Sequence, residues 1–231
     1  MKQTTIIALA AALLLAGCGK GGVYVPKPLP PVPVVQIKAG EQRSIMPLQK
    51  GNQWVYTMES RGQSRDITIE VLSVESSGDA TIALIAVNDG QGDVQVNTWR
   101  VDSTGVYQVT ARQNLLYDPP QLLIPFPIEK GHEFKSEGTG PLPVGGEGSY
   151  VTVGKVLGPQ QIDTAMGETA GRMSAIAVQS VTTWETDEGK NVSRATSWWV
   201  PGIGFVRQMQ EFSTPAGSGA VLLKLKSYSF K

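Results

Sequence analysis

The segment Ile67-Thr68-Ile69-Glu70-Val71 alternates aliphatic and polar residues, and Ala80-Thr81-Ile82-Ala83-Leu84-Ile85-Ala86-Val87 follows it with apolar residues on both faces. Strict alternation is typical of a half-buried β-strand, and a short run that is apolar on both faces is typical of a central strand. A turn signature, Asp89-Gly90-Gln91-Gly92, then leads into another strand-like segment at 94–101. This stretch therefore predicts antiparallel strands joined by short turns.

The composition supports the same fold class. The chain has 231 residues, of which 26 are glycine and 15 proline, and this content disfavours long helices. Hydrophobic residues make up 41%, which excludes a wholly disordered chain. Residues 172–184 fit a helix or a strand, and their β-branched residues favour a strand. We expect an all-β domain over residues 44–231, either a twisted antiparallel sheet or an open half-barrel, with little helix after signal removal.

Two segments about 80 residues apart resemble each other. Residues 45–54 and 126–134 share the order Pro, aliphatic, any residue, Lys, Gly, any two residues, aromatic. We expect Gly51 and Gly131 to occupy equivalent turns at positive φ, where glycine avoids the Cβ clash. Each turn should bring its aromatic residue, Trp54 or Phe134, into the core. The repeat predicts two similar β-halves facing one another.

The stretch 115–126, Leu-Leu-Tyr-Asp-Pro-Pro-Gln-Leu-Leu-Ile-Pro-Phe, is apolar and interrupted by proline. Proline has no N–H for a β-ladder, so we predict neither a regular helix nor an interior strand here. The stretch either crosses over between the two halves or covers the mouth of a concave sheet. The sequence favours the crossover.

The N-terminus carries a targeting signal. Lys2 precedes an uncharged, largely aliphatic run at 6–16, which is too short for a permanent transmembrane helix. The following Leu15-Ala16-Gly17-Cys18 resembles the bacterial lipobox. That resemblance implies cleavage between Gly17 and Cys18 and acylation of the Cys18 thiol, and it makes residues 1–17 a lipoprotein signal peptide.

Residues 18–43 then form a lipidated cysteine and a proline-rich tether. Prolines 26, 28, 30, 31 and 33 favour a semi-rigid polyproline II spacer. In the lipoprotein class, Asp after the lipidated Cys tends to retain the protein in the inner membrane of two-membrane bacteria. Gly19 stands there instead. We therefore expect an anchor in the outer membrane, facing the periplasm, rather than in the inner membrane.

A second resemblance covers residues 47–206. The opening Pro47-Leu48-x-x-Gly51-Asn52-x-Trp54-x-Tyr56 is similar to that of a broad class of bacterial secreted β-proteins, many of them lipoproteins. Members commonly carry a central Thr-Pro-Ala-Gly-x-Phe element, for which 164–169 keeps only Thr and Gly, and they end on an aromatic pair and a glycine turn, here 198–206. These motifs are structural turns, so the resemblance implies a fold rather than a reaction.

The residue counts exclude several functions. A single Cys excludes an intrachain disulfide and a thiolate metal cluster, and a single His excludes a histidine-based metal triad. Twenty basic and 20 acidic residues leave no net charge, so no nucleic-acid partner is expected. We find no catalytic constellation, metal site or cofactor motif, and we expect a protein that is not an enzyme.

The pair Trp198-Trp199 is a candidate binding surface. Adjacent residues of a strand point to opposite faces, so one indole should pack in the core and the other lie on the opposite face. Packing of both indoles is the favoured interpretation. A functional aromatic surface is the alternative.

The leading hypothesis is a membrane-anchored envelope lipoprotein whose non-catalytic domain binds an apolar ligand or another envelope protein. The second hypothesis is a structural accessory subunit of a multiprotein envelope assembly. A carboxylate-based hydrolase is the third, with Asp187 and Glu188 as candidate acids. A concave apolar cavity would favour a ligand, and carboxylates converging in a cleft would favour the hydrolase.

Overall fold

The computed structural model describes residues 39–92, 94–111, 115–142, 146–166, 169–186 and 189–231, with side chains omitted at 39–40, 164–166 and 169–170. The chain divides into a unit Met1–Pro31 and a unit Val32–Lys231, and every described residue belongs to the second. The signal peptide, Cys18 and the proline-rich part of the tether lie outside the described residues. No helix among those described is long and apolar enough to cross a membrane.

The described chain is almost entirely β-strand, which confirms the predicted all-β class. A short 3-10 helix at Ala39–Ile45 precedes the strands. The strands are β1 Gln53–Ser60, β2 Gln63–Ser77, β3 Ala80–Asn88, β4 Val94–Val101, β5 Gly105–Ala111, β6 Leu115–Pro125, β7 Glu133–Pro141, β8 Glu147–Met166, β9 Thr169–Thr186, β10 Gly189–Val200, β11 Gly204–Thr214 and β12 Gly217–Ser229. Residues 172–184 lie within β9, as the β-branched residues predicted.

The strands form a closed antiparallel barrel in which each strand pairs with its neighbours in sequence and β1 pairs with β12. The β1/β12 ladder runs from Gln53 opposite Ser229 to Ser60 opposite Val221. The predicted antiparallel sheet is therefore confirmed, but it is a closed barrel and not an open half-barrel. Closure satisfies the backbone groups that the edges of an open sheet would expose.

The barrel has one weak seam, between β6 and β7, where a single bridge joins Asp118 to Thr139. Pro119 and Pro120 lie on β6 next to this bridge and have no N–H to donate. The prediction that 115–126 is a crossover was therefore wrong, because β6 is a strand that pairs along β5 and loses its ladder only on the β7 side.

Side chains span this seam where the backbone ladder is missing. Tyr150 Oη donates to the Pro119 carbonyl at 2.9 Å, and the Leu122 N–H donates to Ser136 Oγ at 3.4 Å. Gln121 Nε2 donates to Thr152 Oγ1 at 3.1 Å. The barrel wall is thus continuous at this point through polar side chains from β6, β7 and β8.

The main hydrophobic core fills the end of the barrel at which the chain enters. Ile45 and Met46, which follow the 3-10 helix, are buried in this core. The segment is held by the Gly202 N–H, which donates to the Ser44 carbonyl at 2.7 Å, and by a 3.0 Å ion pair between Arg43 and Asp79. We call this end the closed end.

The turn repeat is present in the structure with matching hydrogen bonds. The Gly51 N–H donates to Val71 and the Gly131 N–H to Val156, both at 2.8 Å. Asn52 Nδ2 lies 2.9 Å from the Pro47 carbonyl, and His132 Nδ1 lies 2.7 Å from the Pro127 carbonyl. His132 therefore occupies the structural position of an asparagine.

The predicted conformations at the repeat are confirmed. Gly51 has φ 85° and Gly131 has φ 92°. Trp54 and Phe134 are both buried in the main core. Each turn precedes a run of six strands, so the barrel has two six-strand halves, β1–β6 and β7–β12, that meet at the β6/β7 seam and at the complete β12/β1 ladder.

We expect Gly51→Ala and Gly131→Ala each to lower the free energy of unfolding by about 1–2 kcal/mol, because alanine is strained at positive φ. A Cβ at Gly131 would meet no atom within 4 Å, so this variant isolates backbone strain, whereas at Gly51 it would also approach the flexible Lys231 side chain at 2.9 Å. Gly171→Ala is the control, since that site has ordinary φ and open space. Urea unfolding in which Gly131→Ala is as stable as Gly171→Ala would contradict the prediction.

Candidate functional site

A cavity of about 260 Å³ lies inside the barrel, beyond the main core as seen from the closed end. Its walls come from both halves of the barrel. The lining side chains are Gln108 and Ala111 of β5, Tyr117, Gln121 and Leu123 of β6, Pro141 and Leu142 at the end of β7, Ser180, Thr182 and Trp184 of β9, Ser193 and Ala195 of β10, and Gln208 and Gln210 of β11. We call this site the polar cavity.

A row of hydroxyl groups crosses the inner face of the barrel at the polar cavity, and Thr182 and Ser193 of this row line the cavity. Ser136 pairs with Thr152, Thr152 with Thr182, and Thr182 with Ser193, on the four consecutive strands β7 to β10. Directly paired residues point to the same face of a sheet, so the four hydroxyls face the barrel interior together. Thr152 and Thr182 are buried, and their hydroxyl oxygens lie 2.8 Å apart.

Four glutamines supply amide groups to the polar cavity. Gln108 pairs with Gln121 across β5 and β6, while Gln208 and Gln210 lie on β11. Gln210 Nε2 donates to Ser193 Oγ at 2.9 Å. A primary amide carries both donors and an acceptor, so each glutamine keeps hydrogen-bonding capacity beyond the bonds that it makes inside the barrel.

Two buried polar atoms beside the polar cavity have no hydrogen-bond partner among the described residues: Trp184 Nε1, a donor, and Asn191 Oδ1, an acceptor. The two residues are directly paired across β9 and β10, and only Trp184 lines the cavity. Both atoms have almost no accessible surface, so they lie behind the lining and do not face the cavity.

The Tyr117 ring lines the polar cavity on the side nearest the seam, and Tyr150 packs behind it. A Cβ at Gly140 would lie 2.4 Å from the Tyr117 ring, so this glycine makes room for the ring against the backbone of β7. Tyr117 packs edge-to-face on Tyr150, with ring centroids 5.5 Å apart. Burial raises the pKa of Tyr150 above its ordinary value of 10.0, so the phenol stays protonated and keeps its bond to Pro119.

The lining of the polar cavity contains no carboxylate, ammonium, guanidinium or imidazole group among the described residues. Such a surface offers hydrogen bonds and aromatic contact but no acid or base that titrates near neutral pH. The described residues also contain no group of three His, Cys, Asp or Glu side chains that could hold a metal ion. What the cavity can do chemically is bind and orient an uncharged molecule.

The structure buries both indoles of the Trp198–Trp199 pair, as the favoured interpretation expected, and the alternative of an aromatic binding surface is not supported. The two rings do lie on opposite faces, and Trp199 packs in the core against Phe205, with centroids 5.7 Å apart. Trp198 is covered by the Arg207 guanidinium, 5.0 Å from its ring, and donates to Gln160 Oε1 at 2.9 Å. At 9% and 3% exposure neither ring offers an aromatic surface to a partner.

The remaining predicted site residues fall outside the part of the chain that the structure describes. Gly17 and Cys18, the predicted cleavage and lipidation positions, precede it, and Asp187 and Glu188 lie in the β9–β10 connection between its described ranges. Gly167 of the central element also lies outside it, and the flanking residues form the ends of β8 and β9. The lipidation site therefore stays a prediction.

The sequence analysis missed the polar cavity. A usable signal was present in β9. Ser180 and Thr182 occupy the same set of alternate positions as Trp184 and as two core residues, Ile176 and Val178. Residues that share a strand face share an environment, so polar residues in phase with core residues point into the interior. The same reasoning applies to Gln208 and Gln210, which lie two positions apart on β11.

No protein-family model and no curated protein matches the chain. Among solved structures, a predicted lipoprotein from Parabacteroides distasonis has a TM-score of 0.54 at 11% identity, over 80% of this chain and 98% of that one. A predicted exported protein with a YmcC-like fold from Bacteroides fragilis has a TM-score of 0.50 at 11% identity, with the same coverage. The hypothetical lipoprotein YmcC from Escherichia coli has a TM-score of 0.39 at 9% identity, over 81% of this chain and 87% of that one. The fold is thus similar to one found among exported proteins and lipoproteins.

Proposed function

We propose that this chain is a lipid-anchored protein of the bacterial cell envelope whose barrel binds a small molecule in the polar cavity without transforming it. The observation that carries the binding proposal is the polar cavity itself, an interior space lined by amide and hydroxyl side chains beside a main core of apolar residues. Ligand sites commonly combine such a space with a few polar groups that fix the orientation of the ligand.

The anchor in this proposal is the acylated Cys18, attached to an outer membrane with the barrel in the periplasm. The lipobox residues support it, and the structural neighbours that are predicted to be exported or lipidated agree with it. The 3-10 helix at Ala39–Ile45 leads into the closed end, so the polar cavity lies on the far side of the main core from the first described residues. This arrangement would leave the cavity free to meet a ligand.

The amide and hydroxyl lining supports a polar ligand over the apolar ligand that the sequence predicted. An apolar guest would remove water from these groups without replacing its hydrogen bonds, which is unfavourable. The hydrolase hypothesis receives no support from this site, because its described lining lacks the paired carboxylates that such a reaction uses.

A protein partner is the second candidate function, and one observation on the outer face of the barrel favours it. Val151 and Val153 of β8 are 41% and 48% exposed on that face, and the Lys135 and Lys155 side chains lie beside them. Exposed aliphatic residues with a polar rim are a common feature of docking surfaces. A partner bound there would leave the polar cavity accessible.

Mass spectrometry of the full mature protein tests both parts of the proposal. The denatured protein should begin at Cys18 and carry the added mass of two or three acyl chains. Under native conditions, after extraction in a detergent without a sugar headgroup, a population should carry an additional small molecule that denaturation releases unchanged. An unacylated protein would contradict the anchor, and a native mass with neither small molecule nor protein partner would contradict the binding function.

A further inference from the structure

We propose that the polar cavity binds a neutral sugar residue, either as a free sugar or as the end of a glycan. This inference rests on the proposed binding function and specifies its ligand class. Charge, hydrogen-bonding groups and size each support it independently.

The first argument is charge. The described lining contains amides, hydroxyls, aromatic rings and aliphatic groups, with no ionised side chain. An anionic or cationic ligand would give up its hydration in this interior without meeting an opposite charge, and that loss strongly disfavours its binding. Phosphates, carboxylates and amines are therefore poor guests, while an uncharged polar molecule is a good one.

The second argument is the pairing of donors and acceptors. Gln208 and Gln210 line the cavity with amides, and Thr182 and Ser193 line it with hydroxyls. An amide carries both donors and an acceptor, and a hydroxyl group accepts and donates at the same time. This lining therefore matches a ligand that carries several hydroxyls.

The third argument is size and shape. At about 260 Å³ the polar cavity lies just below the roughly 300–1,000 Å³ typical of sites for drug-sized ligands, so it suits a single ring rather than an extended chain. The Trp184 and Tyr117 side chains line it. Aromatic rings pack well against the apolar C–H face of a sugar while the amides and hydroxyls bond its rim.

The test measures binding to the full mature lipoprotein by isothermal titration calorimetry, in a polyoxyethylene detergent so that no sugar headgroup competes. The probes are neutral hexoses and N-acetylhexosamines, short neutral oligosaccharides, a hexuronic acid of matched size, and an apolar alcohol of matched volume. We expect saturable binding of at least one neutral sugar. A preference for the oligosaccharide over its monomer would identify a glycan end as the ligand, and the reverse preference would identify a free sugar.

Two pairs of variants locate the site. Gln208→Leu removes an amide from the cavity lining, and we expect roughly tenfold weaker sugar binding. Its control is Gln179→Leu, which changes an exposed glutamine of β9 outside the cavity and should leave affinity unchanged. Thr182→Val should also weaken binding, whereas Thr183→Val, at the neighbouring position on the opposite strand face, should not.

The possible results separate this inference from the proposed function. Sugar binding that is weakened by Gln208→Leu and Thr182→Val but not by their controls supports the inference. Binding of the hexuronic acid or the alcohol in preference to every neutral sugar, sensitive to the same variants, overturns the sugar assignment and leaves the binding function standing. Sugar binding insensitive to both cavity variants places the ligand elsewhere and overturns the inference. If no probe binds and the native mass carries no small molecule, the inference and the small-molecule function both fail.

Discussion

The Cys18→Ser variant is expected to leave the membrane fraction completely while its barrel stays folded. Serine has no thiol to receive a diacylglycerol, and the lipobox places the acyl chains on this residue alone. Each buried methylene contributes about 0.8 kcal/mol and a single acyl chain gives only marginal attachment, so loss of two or three chains removes the anchor entirely. Fractionation of cells followed by immunoblotting measures the change.

The barrel should tolerate this substitution because Cys18 precedes the first described residue, Ala39, by 21 positions, and Ile45 and Met46 are the first of the described residues that are buried in the core. The circular dichroism spectrum and urea midpoint of the variant should therefore match those of the unsubstituted protein.

Gly19→Asp is the matched variant. It keeps the lipidated cysteine and should stay in the membrane pellet, but shift from outer- to inner-membrane fractions. A Cys18→Ser protein still found in the pellet after a high-salt wash would refute covalent lipid as the anchor.

Local sequence patterns predicted the strands of this protein well. Alternation identified β2, and apolar residues on both faces identified β3. The turn signature at 89–92 identified the connection from β3 to β4, where the Gln91 N–H donates to Asp89 Oδ1 at 3.0 Å. The repeat was predictable for the same reason, since proline, glycine at positive φ and a buried aromatic residue act within a few residues of one another.

Barrel closure was not predictable from local patterns. It depends on the pairing of β1, Gln53–Ser60, with β12 near the C-terminus. Neither strand has a residue pattern that identifies the other as its partner. Alternation shows that a strand has two different faces and leaves the choice of neighbour open. The prolines of β6 were taken to exclude a strand. They interrupt the hydrogen-bond ladder to β7, while the other edge of β6 still pairs with β5.

The polar cavity was hidden by a related ambiguity. Serine, threonine and glutamine in a strand usually indicate the solvent face, and here they line the inside of the barrel at one level while Val151 and Val153 lie outside. A polar residue that faces the interior differs from one that faces solvent only in sharing its set of alternate positions with the core residues of the same strand. Bulges change that phase, as between Val156 and Gly158 of β8, so the three-dimensional structure is needed to assign the faces.

The Trp54→Ala variant is expected to lower the free energy of unfolding by about 3–5 kcal/mol, because it removes a large, fully buried ring. Trp54 is 0% exposed, packs edge-to-face on Phe230 with centroids 5.5 Å apart, and donates from Nε1 to the Ile203 carbonyl at 2.5 Å. It thereby joins β1 to the β10–β11 turn and to the C-terminal end of the chain. Such a loss is a large fraction of the roughly 5–15 kcal/mol that stabilises a typical domain.

Two further variants separate the contributions of the Trp54 ring. Trp54→Phe keeps most of the packing but leaves the Ile203 carbonyl without its indole donor, and should cost less, about 1–3 kcal/mol. Phe134→Ala removes the equivalent residue of the second half, which has no polar group and lies against the backbone of Gly154, where a Cβ would come within 2.3 Å of the ring. If the two turns are equivalent in the folded barrel, Phe134→Ala should lower the free energy of unfolding by nearly as much as Trp54→Ala does. The difference should equal the contribution of the hydrogen bond that Trp54 alone makes. A free energy of unfolding for Trp54→Ala, measured by urea, that lies within about 1 kcal/mol of the value for the unsubstituted protein would contradict a core role for this residue. Removal of so large a buried ring should destabilise the barrel by more than that.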